Sequence, residues 1–270
     1  MSWIRVSKQE PCLVCNHTDW CLNGDDGESA MCMRTPSEQP YTMTSGDVAY
    51  IHKFNKRPEW RPPVHKPKPV KKYINAAAMF KYAEERTRWQ EVERLAAELG
   101  VSFESLNQLG CAWFDDYNAW GFPMRDGYYS VIGIRLRCQK TGRKWAVEGS
   151  KSGIFYPNSI PQLRAYILEG PTDTAAAISC GLFAIGRPSC SSGVHEILQF
   201  IRTVRTIREV VIISDNDKPG LDGARSLQQK LKVRSCILTL PCKDMREFYK
   251  LDGDAELIDT LIHNTVWLNP

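Results

Sequence analysis

Three short apolar runs between residues 165 and 247 each end in acidic side chains, and this repetition constrains the fold more than any other feature of the sequence. The runs cover residues 165–168, 210–213 and 236–240. Such runs, bounded by Gly and Pro, are typical of strands buried on both faces of a parallel sheet. The residues that follow them are Glu169 and Asp173, then Asp215 and Asp217, then Lys243, Asp244 and Glu247.

The carboxyl ends of parallel strands meet at one edge of a sheet, where open α/β sheets bind their ligands. We therefore expect the three acidic groups to converge on one crevice. Mg²⁺ prefers oxygen ligands and needs only one or two carboxylates besides water and substrate phosphates. For any single acid the competing interpretation is a helix cap or a solvated turn residue, but the set favours a metal site.

Helices are predicted between these strands. Thr172 is the candidate N-cap of an Ala-rich helix that follows Gly170 and Pro171. Lys218-Pro219-Gly220 is predicted to break the chain before a helix around residues 224–230.

The TOPRIM domain of bacterial and phage replicative primases carries motifs that these strand ends resemble, in the same order. The matching stretches are Glu169-Gly170-Pro171-Thr172-Asp173, Asp215-Asn216-Asp217-Lys218-Pro219-Gly220 and Leu240-Pro241-Cys242-Lys243-Asp244. Asn216 departs from the pattern, since the primases usually have Gly there. Similar domains occur in type IA and type II topoisomerases, some nucleases and recombination proteins. The resemblance therefore implies metal-dependent phosphoryl chemistry on nucleic acid without choosing the reaction.

Four of the ten cysteines lie within a polar segment near the N-terminus, where Cys12 and Cys15 form a CxxC pair and Cys21 and Cys32 follow. This pattern predicts a zinc ribbon in which four thiolates complete a tetrahedral structural Zn²⁺ site. His17 is the alternative ligand. The other six are interpreted as small buried residues, namely Cys111, Cys138, Cys180, Cys190, Cys236 and Cys242.

Replicative primases also begin with a zinc module, so its position before the acidic motifs favours that family over topoisomerases and nucleases. The module resembles the all-cysteine type of phage and mobile-element primases. The resemblance implies that Trp20 and Arg34 touch single-stranded template, with Trp20 stacking on bases. Covering the zinc site is the alternative role of Trp20.

A basic, proline-rich stretch follows the last predicted strand of the ribbon, residues 48–54. It is predicted to be a stiff, solvated linker over residues 57–72. Next, residues 76–99 are predicted to form one helix that ends at Gly100, and residues 102–109 a short second helix.

A strand is predicted over residues 130–138, with Ile134 and Leu136 on one face and basic side chains on the other. The basic group that it shares with the following Thr141-Gly142 hairpin comprises Arg135, Arg137, Lys140, Arg143, Lys144 and Lys151. Because this group directly precedes the acidic motifs, we expect it to bind template or nucleotide phosphates. An exposed antiparallel face, where alternating cations are common, is the alternative.

The net charge of the chain is +4, with cations concentrated in residues 53–94 and 135–151. This distribution suits a polyanion that basic surfaces bring to a metal. With no apolar run long enough for a membrane span and no signal peptide, we expect a cytoplasmic protein without a membrane partner.

The sequence thus predicts an α/β chain: a zinc-binding ribbon (residues 1–56), the linker (57–72), a mixed α+β basic subdomain (73–160) and a TOPRIM parallel sheet with flanking helices (161–270).

The resemblance implies a DNA primase that makes short RNA primers on single-stranded DNA from nucleoside triphosphates, with a replicative helicase as a further partner. It implies that Glu169, Asp215 and Asp217 hold a catalytic Mg²⁺ or Mn²⁺, and that Asp173, Lys243 and Asp244 support the metal and nucleotide. A metal-dependent TOPRIM nuclease and a catalytically inactive DNA-binding adaptor are the alternatives.

Overall fold

The computed structural model describes residues 2–43, 47–54 and 73–270 of the 270-residue chain. The chain divides into two compact units, Met1–Val70 and Lys71–Pro270. The predicted linker, residues 57–72, lies outside the described residues.

The first unit is an antiparallel sheet with the strand order β1-β2-β3-β5-β4. Its strands are β1 (Trp3–Arg5), β2 (Leu22–Gly24), β3 (Ser29–Cys32), β4 (Pro40–Thr42) and β5 (Val48–Lys53). The last of them confirms the strand that we predicted at 48–54. Three of the four fully buried members of the apolar cluster are Cys12, Cys21 and Cys32, and the fourth is Val6. Ala30, Met31 and Ala49 are also buried, so this unit has a small hydrocarbon core beside the sulfur atoms.

Three helices open the second unit: α1 (Ala76–Glu84), α2 (Trp89–Leu99) and α3 (Phe103–Leu109). The prediction of a single helix over residues 76–99 is wrong. The Thr87 hydroxyl donates to the Ala83 carbonyl and accepts the amide of Trp113, so a tertiary contact ends α1. Gly100 ends α2 in the left-handed conformation as predicted, and α3 confirms the predicted second helix.

A four-stranded antiparallel sheet follows, with its strands in sequence order. The strands are β6 (Ala112–Phe114), β7 (Ala119–Arg125), β8 (Val131–Cys138) and β9 (Lys144–Ala146). In β8, Ile134 and Leu136 are fully buried and pack beneath α1, whereas Arg135 and Arg137 point the other way. The predicted alternation and the hairpin that joins β8 to β9 are thus confirmed.

The rest of the chain forms a five-stranded sheet of order β11-β10-β12-β13-β14, parallel except for its last strand. The strands are β10 (Arg164–Glu169), β11 (Ala184–Arg187), β12 (Glu209–Ser214), β13 (Arg234–Thr239) and β14 (Trp267–Leu268). The helices are α4 (Gly170–Ser179), α5 (Val194–Thr203), α6 (Lys218–Gln228), α7 (Met245–Lys250) and α8 (Ala255–His263). The predicted α/β class is confirmed.

Both faces of the parallel sheet are covered by helices, which explains why its strands are apolar throughout. Val211 and Ile213 of β12 pack with α3, α4, α7 and α8, whereas Val210 and Ile212 pack with α5 and α6. Because successive side chains point to opposite faces, a strand covered on both sides needs apolar residues at every position.

Two helices begin earlier than the sequence predicts. α4 starts at Gly170 with Glu169 in the cap position, so Thr172 is a buried first-turn residue and not the N-cap. α6 starts at Lys218, because the Asp217 carboxylate accepts the Gly220 amide at 2.7 Å and Pro219 suits a first turn. The predicted chain break is the beginning of the helix itself.

Residues Ile154 and Phe155 join the two sheets of the second unit. Ile154 exchanges two backbone hydrogen bonds of 2.8 Å with Arg125 of β7. Phe155 exchanges two of 2.8 and 2.7 Å with Gly186 of β11. Gly186 is required there, since a Cβ atom would lie 2.1 Å from the Thr174 hydroxyl. In the part of the chain that the structure describes, no helix is long and apolar enough to cross a membrane.

Candidate active site and metal centre

Side chains from three neighbouring strands line one cleft at the carboxyl edge of the parallel sheet. Glu169 ends β10, Asp215 follows β12, and Lys243 and Asp244 follow β13; together with Asp173 of α4 they line the cleft. β12 pairs with both β10 and β13, so the register of the sheet brings these strand ends side by side. Asp217, which caps α6, is exposed beside this group.

Glu169 lies against Arg187, a guanidinium only 1% exposed at the end of the adjacent strand β11. Glu169 Oε1 is 3.6 Å from Arg187 Nη2, and the same oxygen is buried without a hydrogen-bond partner among the described residues. Burial raises the pKa of Glu169, Arg187 lowers it, and Asp215 and Asp217 raise it further. Arg187 is therefore the counter-ion that favours the charged form of Glu169.

Arg187 was not predicted from the sequence, although an arginine that ends the apolar run 182–186 indicates a buried charge in need of a partner. We expect Arg187→Met to lower the free energy of unfolding by about 3 kcal/mol, because it leaves the half-buried Glu169 carboxylate without its counter-ion. Urea unfolding followed by circular dichroism measures the change. Glu169→Gln in the same chain should recover part of the loss, and the exposed Arg225→Met should cost about 0.5 kcal/mol or less. Wild-type stability in Arg187→Met would contradict this role.

Asp215 lies in a strongly negative environment. Burial raises its pKa, and the charges of Asp173, Asp217 and Asp244 raise it further. The backbone around it is tightly packed, since a Cβ at Gly220 would come within 2.9 Å of the Asp215 carbonyl oxygen. Asn216 has no positive φ, so the departure from Gly at this position needs no special backbone conformation.

Arg246 of α7 joins two of the acids. Its Nε donates to Asp173 at 3.2 Å and its Nη2 to Asp244 at 3.0 Å. Burial raises the pKa of Asp173. Burial also acts against the Asp244 charge, but the Glu247 amide and Arg246 bring the pKa of Asp244 below its ordinary value. Arg246 was missed, because a helical arginine after Asp244 has no sequence signal that separates it from a surface residue.

The basic strands lie close to this acidic cleft. Desolvation lowers the pKa of Lys144 on β9, Asp173 raises it, and the guanidinium groups of Arg246, Arg137 and Arg135 lower it. The Lys144 ammonium would lie 3.9 Å from a Cβ atom placed on Gly170, at the start of α4. The structure thus brings Lys144 to the acids, and the two predicted arginines of β8 lie near Lys144.

The other predicted basic residues have different surroundings. Arg137 donates to the Gly142 carbonyl at 3.1 Å and pairs loosely with Glu98, so it also supports the hairpin. Lys140 and Arg143 are exposed in the turn. Lys151 lies 5.6 Å from the ring centre of Tyr73.

In the first unit, the sulfur atoms of Cys12, Cys15, Cys21 and Cys32 all lie within 4.8 Å of one another. The distances from Cys21 Sγ are 3.7 Å to Cys15 and 4.0 Å to Cys32. Sulfur atoms about 2.3 Å from a tetrahedral Zn²⁺ lie about 3.8 Å apart, so the spacing fits this metal. Although burial opposes it, the amides of Arg34 and Thr35 lower the pKa of Cys32 to about 7, which favours the thiolate ligand.

The residues around the cysteines have distinct roles. Arg34 pairs with Asp19 at 2.8 Å and donates to Cys21 Sγ at 3.6 Å, so it braces the sulfur cluster. His17 is not part of the cluster, and its Nδ1 lies 2.9 Å from the Cys15 carbonyl. Trp20 is 68% exposed with a φ of 66°, so its indole does not cover the cysteines.

Among the described residues, only these cysteines bring three or more metal-ligating atoms this close together. All ten cysteines are free thiols; Cys111 and Cys236 are buried as predicted, whereas Cys138, Cys180, Cys190 and Cys242 are half-buried.

No protein-family model matches the sequence, and no curated protein matches it either. Solved structures do match. The primase fragment of the bacteriophage T7 primase-helicase is 15% identical with a TM-score of 0.51, over 97% of this chain and 100% of that one. The zinc-binding and RNA polymerase domains of the Aquifex aeolicus primase are 15% identical with a TM-score of 0.56, over 72% of this chain and 60% of that one.

The DnaG primase catalytic domain bound to single-stranded DNA is 14% identical with a TM-score of 0.55, over 71% of this chain and 78% of that one. These likenesses establish the fold. The chain has the fold of TOPRIM-type primase catalytic cores, preceded by a zinc ribbon with a four-cysteine cluster. The resemblance inferred from the acidic motifs is therefore confirmed at the level of the fold.

Proposed function

We propose that this protein is a DNA primase, which joins ribonucleotides into short RNA primers on a single-stranded DNA template by metal-dependent nucleotidyl transfer. The observation that carries the proposal is the acidic cleft at the ends of β10, β12 and β13 with Lys144 beside it, and with the arginines of β8 near Lys144. Acids that hold a divalent cation and cations that hold phosphates are the two groups that phosphoryl transfer requires.

Two features of the acids support a divalent cation in this proposal. Glu169 presents a buried oxygen without a hydrogen-bond partner in the described part of the chain, and Asp215 has other carboxylates near it whose repulsion a cation relieves. We propose Glu169, Asp215 and Asp217 as the ligands of Mg²⁺ or Mn²⁺. The bound ion supplies charge neutralisation for the triphosphate as pyrophosphate leaves.

The chain's own residues orient the substrates in this proposal. The exposed Lys243 at the rim of the cleft contacts nucleotide phosphate, and its backbone is fixed by a 2.7 Å hydrogen bond from its amide to Glu247. Arg246 holds Asp173 and Asp244 in place and limits their mutual repulsion. In this arrangement Asp244 contacts the metal. Asp173 stabilises the residues around the metal site.

Template binding is assigned to the cations of β8, β9 and the adjoining hairpin, chiefly Arg135 and Lys144. The DnaG structure that shares the fold was solved with single-stranded DNA. Electrostatic attraction to phosphates supplies most of the affinity in such binding. Trp20, exposed on the zinc ribbon, offers a face on which a template base can stack.

A primer-synthesis assay tests the proposal. Purified protein, single-stranded DNA, labelled ribonucleoside triphosphates and Mg²⁺ or Mn²⁺ should give lengthening oligonucleotides on a denaturing gel. Shortening of the input DNA under the same conditions would instead identify a TOPRIM nuclease. DNA binding without either product would identify an inactive adaptor.

The same proposal includes a protein partner and a cellular location. The T7 protein that shares the fold is a primase-helicase. We therefore propose a replicative helicase as the partner of this chain and the cytoplasm as its place of action.

The contribution of the basic strands can be measured separately from catalysis. Each phosphate contact contributes about 0.7 to the slope of log affinity against log salt concentration for single strands. We expect Arg135→Ala with Lys144→Ala to weaken single-strand binding and to reduce this slope by about 1.4. Arg88→Ala with Arg225→Ala removes the same charge from exposed positions, one that precedes α2 and one in α6, and should leave the slope unchanged. Equal slopes for the basic-strand variant and the wild type would exclude the assignment.

A further inference from the structure

A groove of about 450 Å³ lies at the edge of the parallel sheet opposite to the acidic cleft. It is bounded by the end of α5, the segment that leads into β12 and the connection from α6 to β13. Arg208 directly precedes β12 and Val233 directly precedes β13, whereas Asp215 follows β12. A six-residue strand spans about 20 Å, so the groove is well separated from the acidic cleft.

Four cations surround this groove: Arg202, Arg205, Arg208 and Lys232. All four are exposed, and none forms an ion pair with another described residue. Other arginines at the same edge are paired, because Arg164 and Arg234 both bind Glu209, at 2.9 and 2.5 Å. No acidic side chain of the described ranges lines the groove, so its cations form a positive rim without carboxylate partners there.

The floor of the groove is aliphatic. It consists of Leu198, Ile201, Ile207, Leu231 and Val233, which continue the core between α5, α6 and the sheet. Within the part of the chain that the structure describes, no aromatic side chain lines it. Proteins that hold single-stranded nucleic acid combine cations with aromatic platforms for the bases, so this floor is better suited to an aliphatic side chain.

We propose that this groove binds an acidic peptide segment of a partner protein, with its carboxylates on the four cations and an aliphatic side chain on the floor. Guanidinium groups bind carboxylates through two parallel hydrogen bonds, which allows such a rim to bind Asp and Glu side chains. The inference does not depend on the proposed primase activity, because no residue of the acidic cleft contributes to the groove.

The binding is tested with a fluorescein-labelled peptide of four aspartates followed by two leucines, titrated with the full chain and read by anisotropy. Arg205→Glu with Arg208→Glu should weaken binding about tenfold or more, since it reverses two charges of the rim. Arg88→Glu with Arg225→Glu changes the net charge equally elsewhere and should weaken binding about twofold at most. Both variants should retain wild-type primer synthesis.

Two comparisons establish the site and the kind of ligand. Methyl NMR of the labelled Ile, Leu and Val side chains should locate the peptide at the floor residues. A peptide with serines in place of the leucines should bind more weakly. The proposal is overturned if the wild type does not bind the peptide, if both charge variants bind equally, if the serine peptide binds as well, or if oligothymidylate binds the groove more tightly than the peptide.

Discussion

Asp215→Asn is expected to reduce metal-dependent product formation by orders of magnitude, while single-strand binding and zinc content stay unchanged. The substitution keeps the shape of the side chain but removes one ligand charge, and a bound divalent ion is often the largest local charge in its site. The fold should not be weakened. Burial and neighbouring acids raise the pKa of Asp215, so its ionised form lowers the free energy of unfolding at neutral pH. The neutral amide of Asn does not carry this cost.

Labelled-nucleotide incorporation at fixed Mg²⁺ measures this effect, with Mn²⁺ binding followed by electron paramagnetic resonance as the direct test of the ligand role. Asp222→Asn provides the matched control, since Asp222 is an exposed carboxylate of α6 outside the cleft. It should retain full incorporation. If Asp215→Asn and wild type make equal product, the acidic cleft is structural and the proposed reaction is wrong.

The second large effect concerns zinc. The purified protein should carry one Zn²⁺, and Cys12→Ser with Cys32→Ser should remove it and unfold the first unit, because the hydrophobic core of this unit is small and the cysteines lie at its centre. Structural zinc contributes on the order of 10 kcal/mol to the folding of such modules. Elemental analysis and limited proteolysis measure the two outcomes, and the second unit should remain folded.

Cys138→Ser is the control for this experiment. Cys138 is half-buried at the end of β8, in the other unit, so its replacement should leave the zinc content at one per chain. Zinc retained by the double variant, or absent from the wild type, would show that the sulfur cluster is not a zinc site.

The sequence predicted those parts of the fold that local patterns encode. Apolar runs closed by acids specified the parallel strands and their common edge, and the alternation around Ile134 and Leu136 specified β8. The break between α1 and α2 was not predictable, because Thr87 ends the helix through its contact with Trp113, a residue distant in the sequence. Local signals also misplaced the start of α6, where Asp217 is both an acid of the motif and a helix cap.

The same limit applies to the candidate site. The acids and the basic strands were found from their positions, because strand ends and alternating faces are visible in the sequence. The two arginines that hold the acids were not found. Arg187 acts on Glu169 across the β10–β11 pairing and Arg246 on Asp173 across two helices, so both roles arise only from the tertiary structure.

The hydrogen bonds at Ile154 and Phe155 affect how the second unit can move. One pair of bonds connects to β7 and the other to β11, so a swing of the basic strands away from the acids must break one of the pairs. Two backbone hydrogen bonds contribute about 2 kcal/mol, and Phe155 would also leave the core. The distance between the cations of β8 and β9 and the acids at the ends of the parallel strands is therefore set when the chain folds. Motion is expected instead in the exposed hairpin of Lys140 and Arg143, which forms no hydrogen bond to the parallel sheet among the described residues.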